Sequence, residues 1–430
     1  MKDTDRMKMD MLPEPDAQQQ DKTLKTASAR RRMMAALAAA FFCGSFFTLG
    51  VGGAYLRWQQ QSHAAITEKL EEIENLIDQY YLYDVDEEAA ANGIATGYAD
   101  ALDVYSCYRD KEAYEEFQAH NDGDLCGIGI TVAQYGSDAL NVLYLLDDSP
   151  AAGILQPSDA IVGVEGESVE SLGYTGAVAK IQGEAGTSVQ LTIRRNDELM
   201  DVSVERADVV NSGIYFQQFD QIGYLRISAF NNATPAAFKE AIEELMQQGV
   251  SGLIFDLRGN GGGYMSDLQA ISAHLLKNAE GNSPVVARAV FRDGSETLYR
   301  ADGNDYSAYF TDESRITVLA DENTASASEC LIGALIDYGT IGYEDIYLRH
   351  DAETGVCRTY GKGVMQSTFT TISGDAFRLT VAEIFWPNGN SIHEKGVTPS
   401  YPQAGAHAVT APMLPDGTDA FLAQVLAALA

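Results

Sequence analysis

The chain has 430 residues, more than one domain usually takes, so two or three domains are expected. Hydrophobic residues make up 46% and charged residues 21%, which excludes a disordered chain. With 62 acidic residues against 29 basic ones the net charge is −33, which excludes a protein built to hold nucleic acid.

The charge is lopsided. Residues 1–56 carry eight bases and six acids, so nearly all the excess acidity lies beyond them. Met33 to Leu56 is a stretch of 24 uncharged positions, long enough to cross a bilayer core of ~30 Å at ~1.5 Å per residue. Arg30, Arg31 and Arg32 precede it, Arg57 alone follows, and Tyr55 and Trp58 mark the far edge. That arrangement predicts a cytoplasmic tail over 1–32 and a single-pass anchor over 33–56 in the cell membrane. The other reading is a cleaved signal peptide with its small-residue site near Ala64 or Ala65. Its apolar core would usually be about 7–15 residues, which favours the anchor. Both readings put residues 57–430 outside the cytoplasm. Four cysteines fall in that part, and the sequence-local pairing Cys107–Cys126 with Cys330–Cys357 stands against four isolated thiols. No spacing resembles a zinc site, and no cofactor is expected.

From 57 to 122 the pattern is helical. Ile66, Leu70, Ile73 and Leu76/Ile77 recur at helix spacing, and further helical patterns run through Glu87–Leu102 and Lys111–His120. Around Gly127 short β-type runs take over: GIGITVAQY, LNVLYLL, AIVGVEG and SVQLTIRRN, with a helical piece, TGAVAKIQG, before the last. From Ile222 strands alternate with helices: IGYLRISAF, AAFKEAIEELMQQ, SGLIFDL, MSDLQAISAHLLK, ITVLA and SASECLIGALIDYG. This predicts an α/β architecture with a buried sheet. DGTDAFLAQVLAALA reads as a terminal helix.

Three motifs carry chemistry. Arg258-Gly-Asn-Gly-Gly-Gly263 sits between an apolar strand and a helix, either as a tight turn or as a set of backbone donors for a negative oxygen. It matches neither a dinucleotide fingerprint, because Tyr264 occupies the last glycine position, nor a phosphate loop. Asn323-Thr-Ala-Ser-Ala-Ser-Glu-Cys330 enters another helix. Ser326 and Glu329 there fit a capping box, and Ser326 equally fits a nucleophile whose oxyanion meets the helix start. The third motif is Tyr360-Gly-Lys-Gly-Val-Met-Gln-Ser367, where the alternation beyond Lys362 reads as a strand and places Lys362, Val364 and Gln366 on one face. Lys362 is either a surface residue or a general base drawn out of water, which lowers its pKa. None of the six histidines lies in a motif suited to a base, and no G-x-S-x-G elbow occurs.

In order, D-L-R-G-N-G-G-G (256–263), T-A-S-A-S-E (324–329) and Y-G-K-G-V-M-Q (360–366) resemble the carboxyl-terminal processing peptidases, or tail-specific proteases. G-I-G-I (127–130), S-P-A-A-G-I (149–154) and N-G-N-S-I-H-E-K-G-V-T-P (388–399) support the resemblance, which runs from about residue 64 to 401. It implies an α+β multidomain protein: a helical region (57–122), a PDZ domain (123–207), a crotonase-like mixed α/β Ser–Lys peptidase domain (208–401) and a helical tail (402–430). Ser326 would be the nucleophile, Lys362 the general base and Gln366 the residue that positions Lys362. Backbone N–H groups of Ala327 and of a glycine in the 258–263 turn, taken as Gly262, would form the oxyanion hole.

The loop Cys126-Gly127-Ile128-Gly129 would receive a substrate's terminal carboxylate, and the strand from Ile130 would add the substrate as an extra strand. Expected partners are proteins or peptides with free C-termini, the membrane and a second copy of the chain. The competing reading is a catalytically silent, membrane-tethered PDZ scaffold.

Three positions depart from the family pattern. Gln156-Pro157-Ser158-Asp159 replaces a usual Gly-Asp turn. Gln182 stands where an Arg commonly couples the two domains. Ser326 and Lys362 are about ten residues further apart than usual, with the extra length in 342–358.

Overall fold

The computed structural model describes residues 64–122, 124–133, 138–146, 148–277, 283–302, 315–352, 354–411 and 419–429. The expected membrane segment, 33–56, lies outside them. Among the described residues no helix is long and apolar enough to cross a membrane.

The chain divides into residues 1–87 and 88–430. In the first unit, helix α1 (Ala64–Tyr80) forms where the spacing of Ile66, Leu70, Ile73 and Ile77 predicts it. The second unit opens with α2 (Glu87–Asp100), a short strand β1 (Cys107–Arg109) and α3 (Lys111–Asp122). The region read as wholly helical therefore contains a strand. β1 pairs antiparallel with residues 376–378, far along the chain, a partnership with no local signal.

A small sheet follows: β2 (Asp124–Gly127), β3 (Ile130–Ala133), β4 (Leu140–Leu145), β5 (Ala160–Val164), β6 (Glu167–Ser168), helix α4 (Val169–Ile181), β7 (Ser188–Arg195), β8 (Glu198–Glu205) and β9 (Ala207–Val210). Its order is β3-β4-β5-β7-β8, with β6 on β5, so β3 is an edge. Strand β7 buries Val189, Leu191 and Ile193 at period two, against Ile128, Leu140, Val142 and Ile161. β2 stands apart and pairs with β9.

The remainder is β10 (Ile214–Phe219), β11 (Ile222–Ile227), α5 (Thr234–Gln247), β12 (Gly252–Asp256), α6 (Met265–Leu275), β13 (Val285–Phe291), β14 (Glu296–Arg300), β15 (Arg315–Ala320), α7 (Ala327–Asp337), β16 (Ile346–Arg349), β17 (Val364–Thr370), β18 (Ala376–Phe385), β19 (His407–Val409) and α8 (Ala420–Leu429). β10-β11-β12-β15-β16-β19 form one sheet, parallel from β11 onwards because long connections carry the crossovers, through helices up to β16 and through the β17–β18 pair to β19. Its strands are apolar on both faces. Leu225, Phe255 and Val318 join the main core with α5, α6 and α7, while Tyr224, Ile254 and Leu319 pack on Phe421, Leu422 and Val425 of α8. Residues 402–430 are thus no appendage, because β19 extends the sheet and α8 covers it.

A second sheet is built on β18, with β17 along one edge and β1 and β13 along the other. Two further expectations are corrected. β17 begins at Val364, beyond Lys362 as expected, but a bulge between Met365 and Gln366 breaks the predicted alternation. All four described cysteines are free: Cys330 is buried within the main core, and the Sγ of Cys107 accepts an N–H from Arg109.

Candidate active site

Strand β12 ends at Asp256, which is fully buried, and its carboxylate anchors the glycine-rich turn. It accepts from the Tyr224 hydroxyl at 2.6 Å, from Arg258 Nε at 2.9 Å and from Arg226 at 3.4 Å. Burial works to raise its pKa, but Arg258 and Arg226 outweigh that and hold it far below the usual carboxylate range. Arg258 also binds Asp419 at the start of the C-terminal helix.

The turn itself must be glycine. At Gly263, φ is +150° and a Cβ would lie 1.9 Å from the Phe230 carbonyl; at Gly262, φ is +102° and a Cβ would lie 2.8 Å from that of Ser326. The backbone of this turn therefore passes directly against the Ser326 turn. Four hydrogen bonds stitch the two together: Thr324 Oγ1 to the Leu257 carbonyl (2.8 Å), Gly259 N–H to Asp321 (2.9 Å), and Ala325 N–H and Ser328 Oγ to the Asn260 carbonyl (2.9 and 3.1 Å).

Ser326 precedes helix α7 with φ +57° and ψ −116°, a conformation that non-glycine residues avoid and that costs about 1–3 kcal/mol. Glu329 explains how it is held. The Glu329 carboxylate is fully buried and accepts from the N–H of Ser326 (3.0 Å), the N–H of Gly361 (2.8 Å), the N–H of Lys362 (2.9 Å) and the Thr359 hydroxyl. Burial pushes this carboxyl upward while the four donors pull it down. The side chain read from sequence as half of a capping box thus also grips the loop that carries Lys362.

Ser326, Lys362 and Gln366 line one cavity of about 380 Å³, with Gly261, Gly263 and Arg378. Phe230, Met265, Tyr299, Met365 and Ile384 supply apolar walls. Burial pushes the Lys362 ammonium down to about 8, Arg378 adds to that, and Glu329 opposes it. The ammonium lies 5.1 Å from the centre of the Tyr105 ring. Gln366 donates its amide to Thr380 Oγ1 at 3.1 Å, and Thr380 Oγ1 donates to Asp103 at 3.1 Å. The single Thr380 proton is taken by Asp103, so Thr380 must accept from Gln366, which fixes the amide with its carbonyl oxygen turned away from Thr380.

One expected residue is placed otherwise. The Gly262 N–H is donated to Asn260 Oδ1 at 2.8 Å, so it is not available to an oxyanion. Gly261 and Gly263 line the cavity instead, and Ala327 N–H opens α7 without an intrahelical acceptor. Sequence reasoning also missed Asp103, Tyr105 and Phe117, brought to this site by β1 and α3, and Arg378.

Cys126, Gly127, Ile128, Gly129 and Ile130 line a second cavity of about 80 Å³, walled by Val178, Ile181 and Gln182 of the α4 end. Cys126 and Gly127, expected as loop, are strand paired with Asp208 and Ala207, so the loop is only Ile128-Gly129.

The pattern of Peptidase family S41 matches residues 221–343 and 350–402. The carboxy-terminal processing protease CtpB of Bacillus subtilis is 31% identical over 342 residues, covering 77% of this chain and 67% of that protein. The chain belongs to peptidase family S41. A probable CtpA-like serine protease of Staphylococcus saprophyticus is 28% identical, over 77% of this S41 chain and 64% of its own length. This S41 chain thus spans about two thirds of the length of those two relatives. The solved photosystem II D1 C-terminal processing protease is 24% identical with a TM-score of 0.46, over 82% of this chain and 92% of that one.

Proposed function

We propose that the chain is a membrane-anchored serine endopeptidase that cuts proteins in their C-terminal region outside the cytoplasm. The observation that carries the reading is Glu329, which binds the Ser326 turn and the Lys362 loop to one carboxylate and so sets both side chains on one cavity. The mechanism follows from that geometry. Lys362, drawn from water, holds a neutral amine at mildly alkaline pH and takes the Ser326 proton as the hydroxyl attacks the scissile carbonyl. The Gln366 carbonyl oxygen, turned from Thr380, is the acceptor that orients the amine. Ala327 N–H, with Gly261 or Gly263, meets the oxyanion, each donor contributing about 2.7–4 kcal/mol. Water then hydrolyses the acyl-enzyme with Lys362 again as base.

Residues 123–207 act in this reading as a PDZ domain. Support comes from the free edge of β3, the Ile128-Gly129 loop and the small cavity beside α4, a geometry suited to adding a chain terminus as a strand. The anchor at 33–56, with Arg30–Arg32 on its inner side, rests on the sequence.

The test is cleavage of an unfolded protein by the full chain in detergent. Ser326→Ala and Lys362→Ala should each abolish it. Equal turnover by all three forms would sink the dyad, and binding without cleavage by the unmodified chain would favour the silent scaffold. Amidation of the substrate's C-terminus should weaken binding to the proposed PDZ domain, and unchanged affinity would remove that role. Labelling of single engineered cysteines in intact cells should reach residue 60 but not residue 20.

A further inference from the structure

The cleft contains a cation that the proposed catalytic steps do not use. Arg378 lies on β18 opposite Thr368 of β17 and Cys107 of β1, half-buried in the wall of the cavity that holds Ser326 and Lys362. Its guanidinium lies 5.6 Å from the centre of the Phe117 ring, and the Arg109 guanidinium lies 4.1 Å from that same centre. Among the described residues no carboxylate comes within ion-pair reach of either arginine. Elsewhere in the same unit Arg195, Arg226, Arg258 and Arg288 all pair with acids. In a chain with 62 acids for 29 bases, two like charges facing one ring without an acid are costly. Lys362 adds a third cationic group to the same wall. A planar guanidinium presented to a cavity with its donors unused matches one ligand chemistry above others, a carboxylate.

We propose that Arg378, backed by Arg109, is a specificity residue that binds a carboxylate of the substrate next to the scissile bond. The carboxylate comes from an acidic side chain or from the terminus of a short tail. The inference rests on the peptidase reading and deepens it by naming what the cleft selects. Phe117 holds the two guanidiniums at its ring, so α3 contributes to selection although it is remote in sequence from the motifs.

The experiment uses the full chain in detergent and a peptide of neutral composition. Variants place Glu or Gln at successive positions around the cleaved bond, each with a free or an amidated end. The expected result is one Glu position, or the free end, favoured roughly ten- to a hundredfold in kcat/KM, mostly through KM. Arg378→Gln should bring that ratio to near one, and Arg378→Lys should keep part of it. Binding of the same Glu and Gln peptides to the Ser326→Ala chain, with and without Arg109→Gln, supplies a readout independent of turnover and should show the same preference, weakened by Arg109→Gln. Glu/Gln and free/amidated ratios both near one in the unmodified chain, or a favoured ratio left unchanged by Arg378→Gln, overturn the proposal. Absence of cleavage of every peptide by the unmodified chain overturns the peptidase reading instead, while a binding preference in the Ser326→Ala chain would still uphold the carboxylate site.

Discussion

Two arginine-bearing regions of the same domain are built on opposite terms. Beneath the Ser326 side, Arg226 and Arg258 close on Asp256, with Tyr224 and Asp419 completing the shell. On the Lys362 side, Arg378 and Arg109 meet an aromatic ring and no acid among the described residues. The first arrangement makes a fixed platform, since every charge in it has a partner. In the second, burial depresses Lys362 and the charge of Arg378 adds to that, with Glu329 alone opposing it. Rigidity beneath Ser326 and unmet charge beside Lys362 are produced by one residue type under two kinds of burial.

The comparison can be broken at its strongest point. Asp256→Asn would leave the buried Arg226 without a carboxylate and Arg258 with Asp419 alone, and should cost about 3–5 kcal/mol, read by denaturant unfolding. Because the Asp256 pKa is depressed, its contribution is complete above the unfolded value near ~4 and fades only as pH falls through its lower native value. An unchanged midpoint would show that the platform carries no load. Next, Glu329→Gln places an amide against four donors. A drop of roughly a hundredfold in kcat, with lower stability, is expected as Ser326 and Lys362 lose their common tether.

The base side gives a subtler test. The rate should climb with pH through about 8, since the neutral amine is the working form. Arg378→Gln removes a positive neighbour, so the ammonium becomes easier to keep and the limb should move to higher pH. A limb that stays put would separate Arg378 from Lys362. The smallest effect concerns backbone strain. Ser326→Gly and Ser326→Ala should both be inactive, but the glycine form should be more stable by about 1 kcal/mol, because φ +57° suits it. Equal melting temperatures would place the strain elsewhere.

The sequence is most readable where chemistry is local. Val189, Leu191 and Ile193 announce a strand by period two, and the Arg258–Gly263 turn declares itself by its glycines. Ser326, Lys362 and Gln366 could be named from motifs, and the structure sets all three on one cavity. What stayed hidden depends on contact across long separations. β1 meets β18 about 270 residues later, and nothing in Cys107–Arg109 says so. The bulge at Met365/Gln366 defeats a simple alternation, because a ladder irregularity is set by its partner strand. Gly262 and Gly263 are alike on paper, and only the Asn260 side chain, folded back onto one of them, tells the two N–H groups apart.

The Glu329 clamp has a practical corollary for the segment between helix α7 and the loop that carries Lys362. Both ends are gripped by the same carboxylate, and Tyr360 N–H is further tied to the Thr324 carbonyl at 2.9 Å. Geometry at the dyad therefore does not depend on the path the chain takes in between, and lengthening a closed loop adds only about 0.6 kcal/mol per doubling. Beyond His350, whose N–H still pairs with the Val409 carbonyl, Asp351 and Val356 close a turn whose backbone hydrogen bonds are to itself, and that turn is accordingly a permissive insertion point. A fluorescent reporter or an affinity handle placed there would leave Ser326 and Lys362 where Glu329 holds them.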